Sequence, residues 1–522
     1  MPTYLTPGVY VEEVDRGSKP LSAVGTAVAA FVGFTERAPQ DDPTDPDGVR
    51  PRLVTNWSRF ESLYGGFVKG AMLPHAVFGF FDNGGGSCYI VRIPNRTVAG
   101  EGPPLALPAA DDPEKKALDV AAKTDSPVEV VVEERPSTGG DGEGDGGAGE
   151  SFDLIVRVGG VEVERYPNVT LGKGDRNVET MTETSRLITV KVGSTKAALP
   201  ALGSYPVAPP ASEPRQVTGA DFEGAETTRM GIRGLVIADD VTMVAVPDLV
   251  TAATLPDNTI DLDMWKSVQT AMLSHCEAQA NRVAILDAPP NMDFQQVRDW
   301  RKDQAMYDSK FGALYYPWIN VANRASSNGD RIISVPPCGH MAGIWARNDE
   351  TRGVWKAPAN EVVRGALDVA LRITKEEQGF LNPNGINCIR PFGTRGIRVW
   401  GARTLSSDPS WTYLNVRRLF NMIETTIMDG TQWVVFEPND QALWERVKRT
   451  INAFLLGLWR DGALFGATPE QAYYVKCDAE TNPPESIDLG RLVVEVGIAP
   501  VKPAEFVIFR ISQWQGGSGT AE

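Results

Sequence analysis

Histidine and cysteine are the residues that most often build metal sites and nucleophilic centres, and this chain has few of them. His75, His275 and His340 lie far apart in sequence, and the five cysteines occur singly. Cys338 and His340 have a spacing that would suit a metal, but a site needs a second such pair nearby, and none is present. A Ser–His or Cys–His nucleophile would need one of the same histidines. The sequence therefore predicts no metal, no cofactor and no catalytic centre.

Carboxylate pairs are the remaining candidates for acid–base chemistry. The pairs Asp239-Asp240 and Asp261-x-Asp263 lie where turns and helix caps are expected. Ser87 follows three glycines, a pattern typical of a helix end that leads into a strand, and no phosphate-binding loop or dinucleotide motif occurs. An α/β enzyme with a pocket in 222–390, using an acid pair or His340, is kept as an alternative.

The overall composition is that of an acidic globular protein with several domains. The 522 residues carry a net charge of −16, which disfavours a nucleic-acid binder. Single cysteines suit reduced thiols rather than a disulfide framework. There is no apolar run of membrane-spanning length and no signal-peptide pattern. We therefore expect that the protein does not insert into a membrane and that it folds in the cytoplasm.

Alternating strand and helix patterns predict a central α/β domain formed by 23–95 and 222–399. Apolar runs at 27–34 and 88–93 indicate buried strands, with two helices between them. Further strands are predicted at 234–238, 241–247, 282–287 and 313–319, and helices at 263–280 and 294–307, an order typical of a parallel sheet. The residues 335–344 are interpreted as turn-rich.

Two regions of different composition complete the chain. The composition and strand patterns of residues 96–221 predict a β-rich surface domain inserted into the core domain. Within it, we expect an acidic, glycine-rich loop at 137–150 to be disordered. Residues 400–499 predict a C-terminal α+β domain with helices at 411–428 and 437–460 and strands at 433–436 and 492–496. The predicted fold class is multidomain α/β and α+β with extended terminal β-arms.

Both ends of the chain carry a short β-prone run on a proline-marked leash. These runs lie in an N-terminal segment, 1–22, and a C-terminal segment, 500–522, and neither has a hairpin partner beside it. An isolated strand is not stable alone, so each arm must pair elsewhere, in this chain or another. The predicted arm-strand residues are Val9, Tyr10, Val11, Val14, Phe506, Val507, Ile508, Phe509 and Ile511.

One basic surface stands out in this acidic chain. Arg446, Lys448 and Arg449 lie opposite the apolar stripe of the predicted helix 437–460, and Arg417-Arg418 on the preceding helix would add to them. Such charges usually form a solvated helix face, although they would also suit an acidic partner.

The residues at both ends and in the middle resemble those of tail sheath proteins from contractile bacteriophages and related injection systems. The resemblance rests on 6–13 (TPGVYVEE), on 336–343 (PPCGHMAG) with 353–360 (GVWKAPAN), and on 384–387 (NGIN) with 413–419 (YLNVRRL). Residues 96–221 lie outside it and resemble the variable outer insertion of such sheaths.

The resemblance implies a non-enzymatic structural subunit that polymerises helically with itself around an inner tube. Terminal arms would add strands to a sheet of a neighbour's C-terminal domain, and the sheath would contract to drive the tube through a target envelope. The implied partners are the inner tube, the baseplate and the terminal cap. The basic helix residues would face the tube, which is the neighbour of the C-terminal domain. A tube or cap protein of the same particle is the third possibility.

Overall fold

The computed structural model describes most of the chain, with gaps. The described residues are 21–39, 42, 45, 47–98, 101–124, 128–134, 151–158, 160–193, 199–210, 212–326 and 331–511. The predicted N-terminal arm strand and the glycine-rich loop 137–150 lie outside them. No helix within these ranges is long and apolar enough to cross a membrane.

The first part of the chain forms a strand–helix–helix–strand unit, as expected. Its elements are β1 (Val28–Gly33), β2 (Arg52–Val54), α1 (Trp57–Tyr64), α2 (Leu73–Asp82), β3 (Ser87–Arg92) and β4 (Arg96–Val98). Ala30, Phe31 and Val32 are fully buried, so β1 is covered on both faces, as its continuous apolar sequence predicts.

The inserted region is rich in β-structure and has its own core. Its elements are β5 (Leu105–Pro108), β6 (Lys116–Ala122), β7 (Val128–Glu134), β8 (Phe152–Val158), β9 (Val161–Val169), α3 (Val178–Met181), β10 (Ile188–Val192), β11 (Gly203–Val207) and β12 (Ser212–Pro214). Two sheets, β10-β6-β5 and β11-β7-β8-β9, bury a shared apolar cluster. The chain enters and leaves through a two-stranded ribbon in which β4 pairs antiparallel with β12.

The chain then returns to the central sheet. The elements are α4 (Gly219–Glu223), β13 (Met243–Ala245), α5 (Leu249–Ala253), α6 (Leu262–Gln279), β14 (Val283–Asp287), α7 (Phe294–Asp299), β15 (Gly312–Tyr316), β16 (Ile319–Ala322), β17 (Ile332–Val335), α8 (Cys338–Arg352), β18 (Ala366–Val369), α9 (Lys375–Leu381), β19 (Ile386–Pro391) and β20 (Ile397–Val399). A π-helical turn, Trp300–Ala305, continues α7.

Eight strands form the main sheet, in the order β2-β3-β1-β13-β14-β15-β19-β20. The six inner strands are parallel, and an antiparallel strand closes each edge. The apolar core around this sheet includes Trp265, Trp300 and Leu314. The predicted fold class, a multidomain α/β protein with a central parallel sheet, is confirmed.

Two predictions in this region are wrong. Residues 234–238 form a 3₁₀ turn, Arg233–Ile237, and not a strand, because an apolar run that short does not distinguish the two. Residues 335–344 are not turn-rich, since α8 covers most of them. Gly339 and Gly343 are there because α8 packs closely on α2: an added Cβ would lie 2.3 Å from the Ala76 carbonyl oxygen and 2.4 Å from that of Phe80.

The C-terminal part is helical with one small sheet. Its elements are α10 (Leu414–Gly430), α11 (Gln441–Arg460), α12 (Pro469–Ala472), β21 (Tyr473–Lys476), α13 (Pro484–Asp488) and β22 (Glu495–Ile498). The predicted long helix is present, and Asp440 caps it by accepting a 2.8 Å hydrogen bond from Leu443 N. The predicted strand 433–436 is wrong, because a 3₁₀ turn, Gln432–Val434, occupies it. The predicted strand 492–496 begins later, at Glu495.

The chain divides into two compact units. Of the described residues, 21–25, 352–357 and 413–511 form one of them, called here the C-terminal unit, and those within 26–351 and 358–412 form the central unit. The insertion belongs to the central unit. The division at Tyr413 differs from the sequence-based boundary at 400, because the residues after β20 still contact the central unit: Leu405 N donates a 3.0 Å hydrogen bond to the Gly312 carbonyl.

Candidate functional site

The predicted C-terminal arm strand is an exposed segment that forms neither a helix nor a strand here. Its apolar side chains, those of Phe506, Val507, Ile508, Phe509 and Ile511, are between 68% and 94% exposed, and they form no strand within this chain. Contiguous apolar side chains at a surface usually mark a contact with another molecule. Val9, Tyr10, Val11 and Val14 of the N-terminal arm lie outside the described residues.

The segment that precedes this arm is fixed to the start of α10. The Asn415 side chain donates a 3.1 Å hydrogen bond to the carbonyl of Val501, and the Tyr413 hydroxyl lies 3.1 Å from a Glu505 carboxylate oxygen. The chain is therefore anchored as far as Glu505, immediately before the exposed residues begin.

The other end of the same helix holds the first described residues of the chain. The backbone N–H of Val24 donates a 3.1 Å hydrogen bond to the hydroxyl of Thr426, and Leu21 and Val24 pack against the core of the C-terminal unit. Asn415 and Thr426 are eleven residues apart on α10, which corresponds to about 16 Å along the helix. Both terminal segments therefore leave from one rigid element.

The sheet of this unit has two strands, and just after β22 the chain forms an isolated antiparallel bridge between Pro500 and Leu464. β21 and β22 pair antiparallel, with Val475 opposite Val496, and no third strand joins them among the residues that the structure describes. One face packs on the core through Tyr473, Val475, Val496 and Ile498. An open edge presents unpaired backbone groups, so it can accept an extended segment from another chain.

The three predicted basic residues differ in their surroundings. Arg446 pairs with Glu437 at 2.9 Å and lies over the ring of Trp433, whereas Lys448 is half-buried and pairs with Glu445 at 2.7 Å. Arg449 is exposed, and no ion pair is formed by it within the described ranges. Arg446 and Arg449 are three residues apart and share a face of α11, while Lys448 is directed away from it.

The expectation that Arg417 and Arg418 extend this surface is wrong, because both side chains are buried. Arg417 donates to the Asn421 side chain at 2.7 Å and pairs with Glu424 at 2.8 Å. These contacts compensate for the loss of water around the guanidinium group. Arg417 therefore makes polar contacts within α10 and is not available to a partner protein.

The three histidines are also core residues. Burial lowers the pKa of His75, His275 and His340 to about 4 each, so they are neutral near pH 7. Arg282 lies against His275 with 3.2 Å between Nη1 and Nε2. No group of three or more His, Cys, Asp or Glu with metal-binding geometry occurs in the described part of the chain.

The crevice in which parallel sheets usually bind ligands is filled by a buried aspartate. The strand order reverses between β1 and β13, and open α/β sheets bind ligands beyond the strand ends at such a point. Here Asp248 accepts hydrogen bonds from the backbone N–H groups of Phe34 (2.7 Å), Leu73 (3.1 Å) and Met72. An added Cβ at Gly33 would overlap its carboxylate. The protein's own acid thus takes the place of a bound anion at the start of α2.

A second buried acid accepts a backbone hydrogen bond at the start of another helix, α8. Asp287 ends β14 and accepts a 2.9 Å hydrogen bond from Cys338 N, the first residue of α8. Burial raises the pKa of both Asp248 and Asp287 to about 7. Sequence reasoning missed both residues, although an aspartate directly after an apolar strand is the signal that could have indicated them. The acid pair candidate Asp261 caps α6, as expected.

An exposed apolar C-terminal segment, a two-stranded sheet and a crevice occupied by the protein's own Asp248 are features of an assembly subunit. Two protein-domain families match adjacent parts of the chain. The phage tail sheath protein central domain matches residues 239–405, and the phage tail sheath C-terminal domain matches residues 406–513. Together they cover more than half of it. The chain therefore belongs to the phage tail sheath family, and it is a structural subunit of a contractile sheath.

Individual relatives agree with this assignment. The chain is 24% identical to the tail sheath protein of Burkholderia phage BcepMu, over 95% of this chain and 94% of that protein. It is 29% identical to the tail sheath protein of Vibrio phage KVP40 over 40% of this chain, and the match spans only 32% of that longer protein.

Solved structures of similar fold are sheaths as well. The sheath complex of PVC, an extracellular contractile injection system in its contracted state, is 25% identical with a TM-score of 0.58, and 99% of each chain is covered. The helical sheath of the anti-feeding prophage, also contracted, is 25% identical with a TM-score of 0.57, covering 98% of this chain and all of the other.

Proposed function

We propose that this protein polymerises helically around an inner tube through strand-exchanging terminal arms and contracts to drive that tube through a target envelope. The observation that carries the proposal is the exposed apolar segment 506–511, which leaves an anchored leash in the unit that also contains the open sheet β21–β22. The arm strands of neighbouring copies add to the free edges of this sheet.

Strand addition suits a lattice that changes its packing. Main-chain hydrogen bonds are independent of the side chains and persist when rigid bodies rotate on flexible leashes. Each hydrogen bond contributes about 1 kcal/mol net, and burial of Val507, Phe509 and Ile511 adds more. A link of a few kcal/mol, repeated at every subunit, holds the polymer together in both states.

The remaining assignments follow from the same role. Arg446, Lys448 and Arg449 are the candidate tube-facing residues, with Arg449 as the cation most available to an acidic partner. Baseplate and terminal cap proteins bind the two ends of the polymer. The protein performs no catalysis, and the particle is assembled in the bacterial cytoplasm, in a phage tail or a tail-like injection system.

Truncations of the arms test the proposal. Removal of residues 506–522 should leave a folded subunit that no longer polymerises, because the apolar strand is lost while the leash stays anchored. Removal of residues 1–18 should have the same effect. Circular dichroism reports folding, and negative-stain electron microscopy reports polymers.

A shorter truncation is the matched control. Removal of residues 512–522 spares the arm strand and should leave polymerisation unchanged. Ordered sheaths formed without residues 506–522 would refute the role of the C-terminal arm.

A further inference from the structure

The connector between α10 and α11 presents a phenylalanine to solvent in an unusual backbone conformation. Phe436 is 103% exposed, so its side chain contacts almost nothing in this chain, and its φ is +67°. A bulky aromatic residue rarely adopts the left-handed region, where glycine and asparagine are favoured. Both the exposure and the backbone strain oppose stability of the isolated subunit, so the residue has no structural benefit there.

The connector is nevertheless well ordered by local contacts. Backbone N–H groups donate from Val434 to Thr431, at 2.9 Å, and from Glu437 to Val434, at 3.1 Å. Asn439 donates a 2.9 Å hydrogen bond to the carbonyl of Arg491, which ties the connector to a second loop. The backbone that carries Phe436 is therefore held in place, so binding through this residue has to order only its side-chain torsions.

The connector is continuous with the basic face of α11. Arg446 bridges them, since its guanidinium pairs with Glu437 at 2.9 Å and lies 5.1 Å from the centre of the Trp433 ring. Arg449 is exposed on the same side of the helix. An apolar tip beside two cations is complementary to a protein surface that has an apolar socket with carboxylates at its rim.

We propose that Phe436 is the apolar anchor by which this subunit binds the inner tube, inserted into an apolar socket of the tube protein while Arg446 and Arg449 meet carboxylates around it. This assignment rests on the proposed function, because it takes the basic face of α11 to be tube-facing. Phe436 adds specificity, since a buried aromatic anchor requires a fitting socket whereas exposed charge pairs alone tolerate many partners.

The substitution Phe436→Asn tests the anchor without the usual cost to the fold. Asparagine accepts the positive φ, so the melting temperature of the free subunit should not fall, whereas tube binding should be lost. The full chain, wild type or variant, is co-expressed with the tube protein of the same particle. Electron microscopy then scores sheaths as filled or empty. We expect the fraction of sheaths that contain a tube to be at least tenfold lower for the variant than for the wild type.

Other outcomes separate the possible explanations. Phe380→Asn, at an exposed phenylalanine of the central unit, is the matched control and should leave sheaths filled. Filled Phe436→Asn sheaths would overturn the proposal, and so would a folded variant that forms no sheath, since Phe436 would then contact a second copy. If Phe436→Asn and Phe436→Gly both fail to fold, the residue is structural and the proposal fails. Absence of sheaths from wild-type protein would instead refute the proposed function.

Discussion

At the scale of single residues, the central unit depends on polar groups buried at the ends of its strands. Asp248 joins β1, α2 and the end of β13 through three backbone N–H groups. Its carboxylate occupies the point at which such folds often bind a phosphate group, and it is part of the covalent chain.

Removal of this carboxylate should destabilise the central unit strongly. Asp248→Ala would leave two buried donors, Phe34 N and Leu73 N, and the half-buried Met72 N without this acceptor, and each unsatisfied buried group costs about 1–3 kcal/mol. We therefore expect the free energy of unfolding to fall by about 3 kcal/mol or more, measured by urea denaturation. The exposed Asp239→Ala is the control and should change it by less than about 0.5 kcal/mol. Equal effects of the two substitutions would contradict this account of Asp248.

His275 should make the protein sensitive to acid. Burial and the nearby charge of Arg282 lower its pKa from 6.5 to about 4 in the folded state. Above pH 6.5 it is neutral in both states and has no effect, and between pH 6.5 and 4 the unfolded chain binds the extra proton. Folding stability should therefore decrease over that range, by up to about 3 kcal/mol for this residue.

A comparison with His275→Gln isolates this contribution from that of other titrating groups. Glutamine keeps an acceptor for Arg282 but does not titrate. The free energy of unfolding of the wild type, minus that of the variant, should become more negative as the pH falls from 6.5 to 4. A difference that is independent of pH would show that folding does not shift the pKa of His275.

At the scale of elements, α10 and α11 carry the features that assembly requires. α10 anchors both terminal segments, and α11 buries one stripe, including Leu443, Val447 and Leu455, while its opposite side is exposed. A helix with a firmly buried stripe tolerates substitutions on its exposed side. Charge changes on that side therefore test binding separately from folding.

Reversal of the free cation on α11 should weaken association with the tube. Arg449→Glu replaces an attraction to carboxylates by a repulsion, and we expect about a tenfold loss in co-sedimentation of tube with sheath at low salt. The melting temperature of the subunit should stay the same, because Arg449 is exposed. Lys302→Glu makes the same charge change at an exposed site of the central unit and should have no effect. Unchanged co-sedimentation of Arg449→Glu would exclude this face as the tube contact.

At the scale of the whole molecule, the insertion is joined to the central sheet by a narrow connection. β4 and β12 pair side by side, with Val98 opposite Ser212, so the two points of attachment are adjacent. The insertion also has an apolar core of its own, which includes Phe152, Leu154 and Ile188. Neither part needs the other to bury its apolar side chains.

Deletion of the insertion should therefore leave a folded, polymerising protein. Residues 99–211 are replaced by a short Gly-Ser linker between the paired ends of β4 and β12. We expect the circular dichroism spectrum to shift towards helix and polymers to form as in the full chain. A deletion variant that aggregates would show that the insertion supports the central unit. Expression of 99–211 alone, which should fold independently, serves as the complementary measurement.

The elements with a strong local pattern could be predicted from the sequence. The apolar runs of β1 and β14 and the caps of α6 and α11 follow from hydrophobic periodicity and side-chain hydrogen bonds to nearby backbone, whereas the arm strand at 506–511 stays a prediction. The tail sheath family was recognised from motifs at both ends and the middle. The scarcity of catalytic residue types indicated a structural role.

Features that depend on distant residues are visible in the tertiary structure and not in the sequence. Gly339 and Gly343 look like turn formers, but they lie in α8, where the backbone of α2 leaves no room for a Cβ. Arg417 and Arg418 look like surface charges, but the packing of α10 buries them. Asp248 closes the crevice with groups 175 or more residues away in sequence. The physical reason is that burial and hydrogen-bond partners of this kind are set by which elements meet, and local sequence does not specify that.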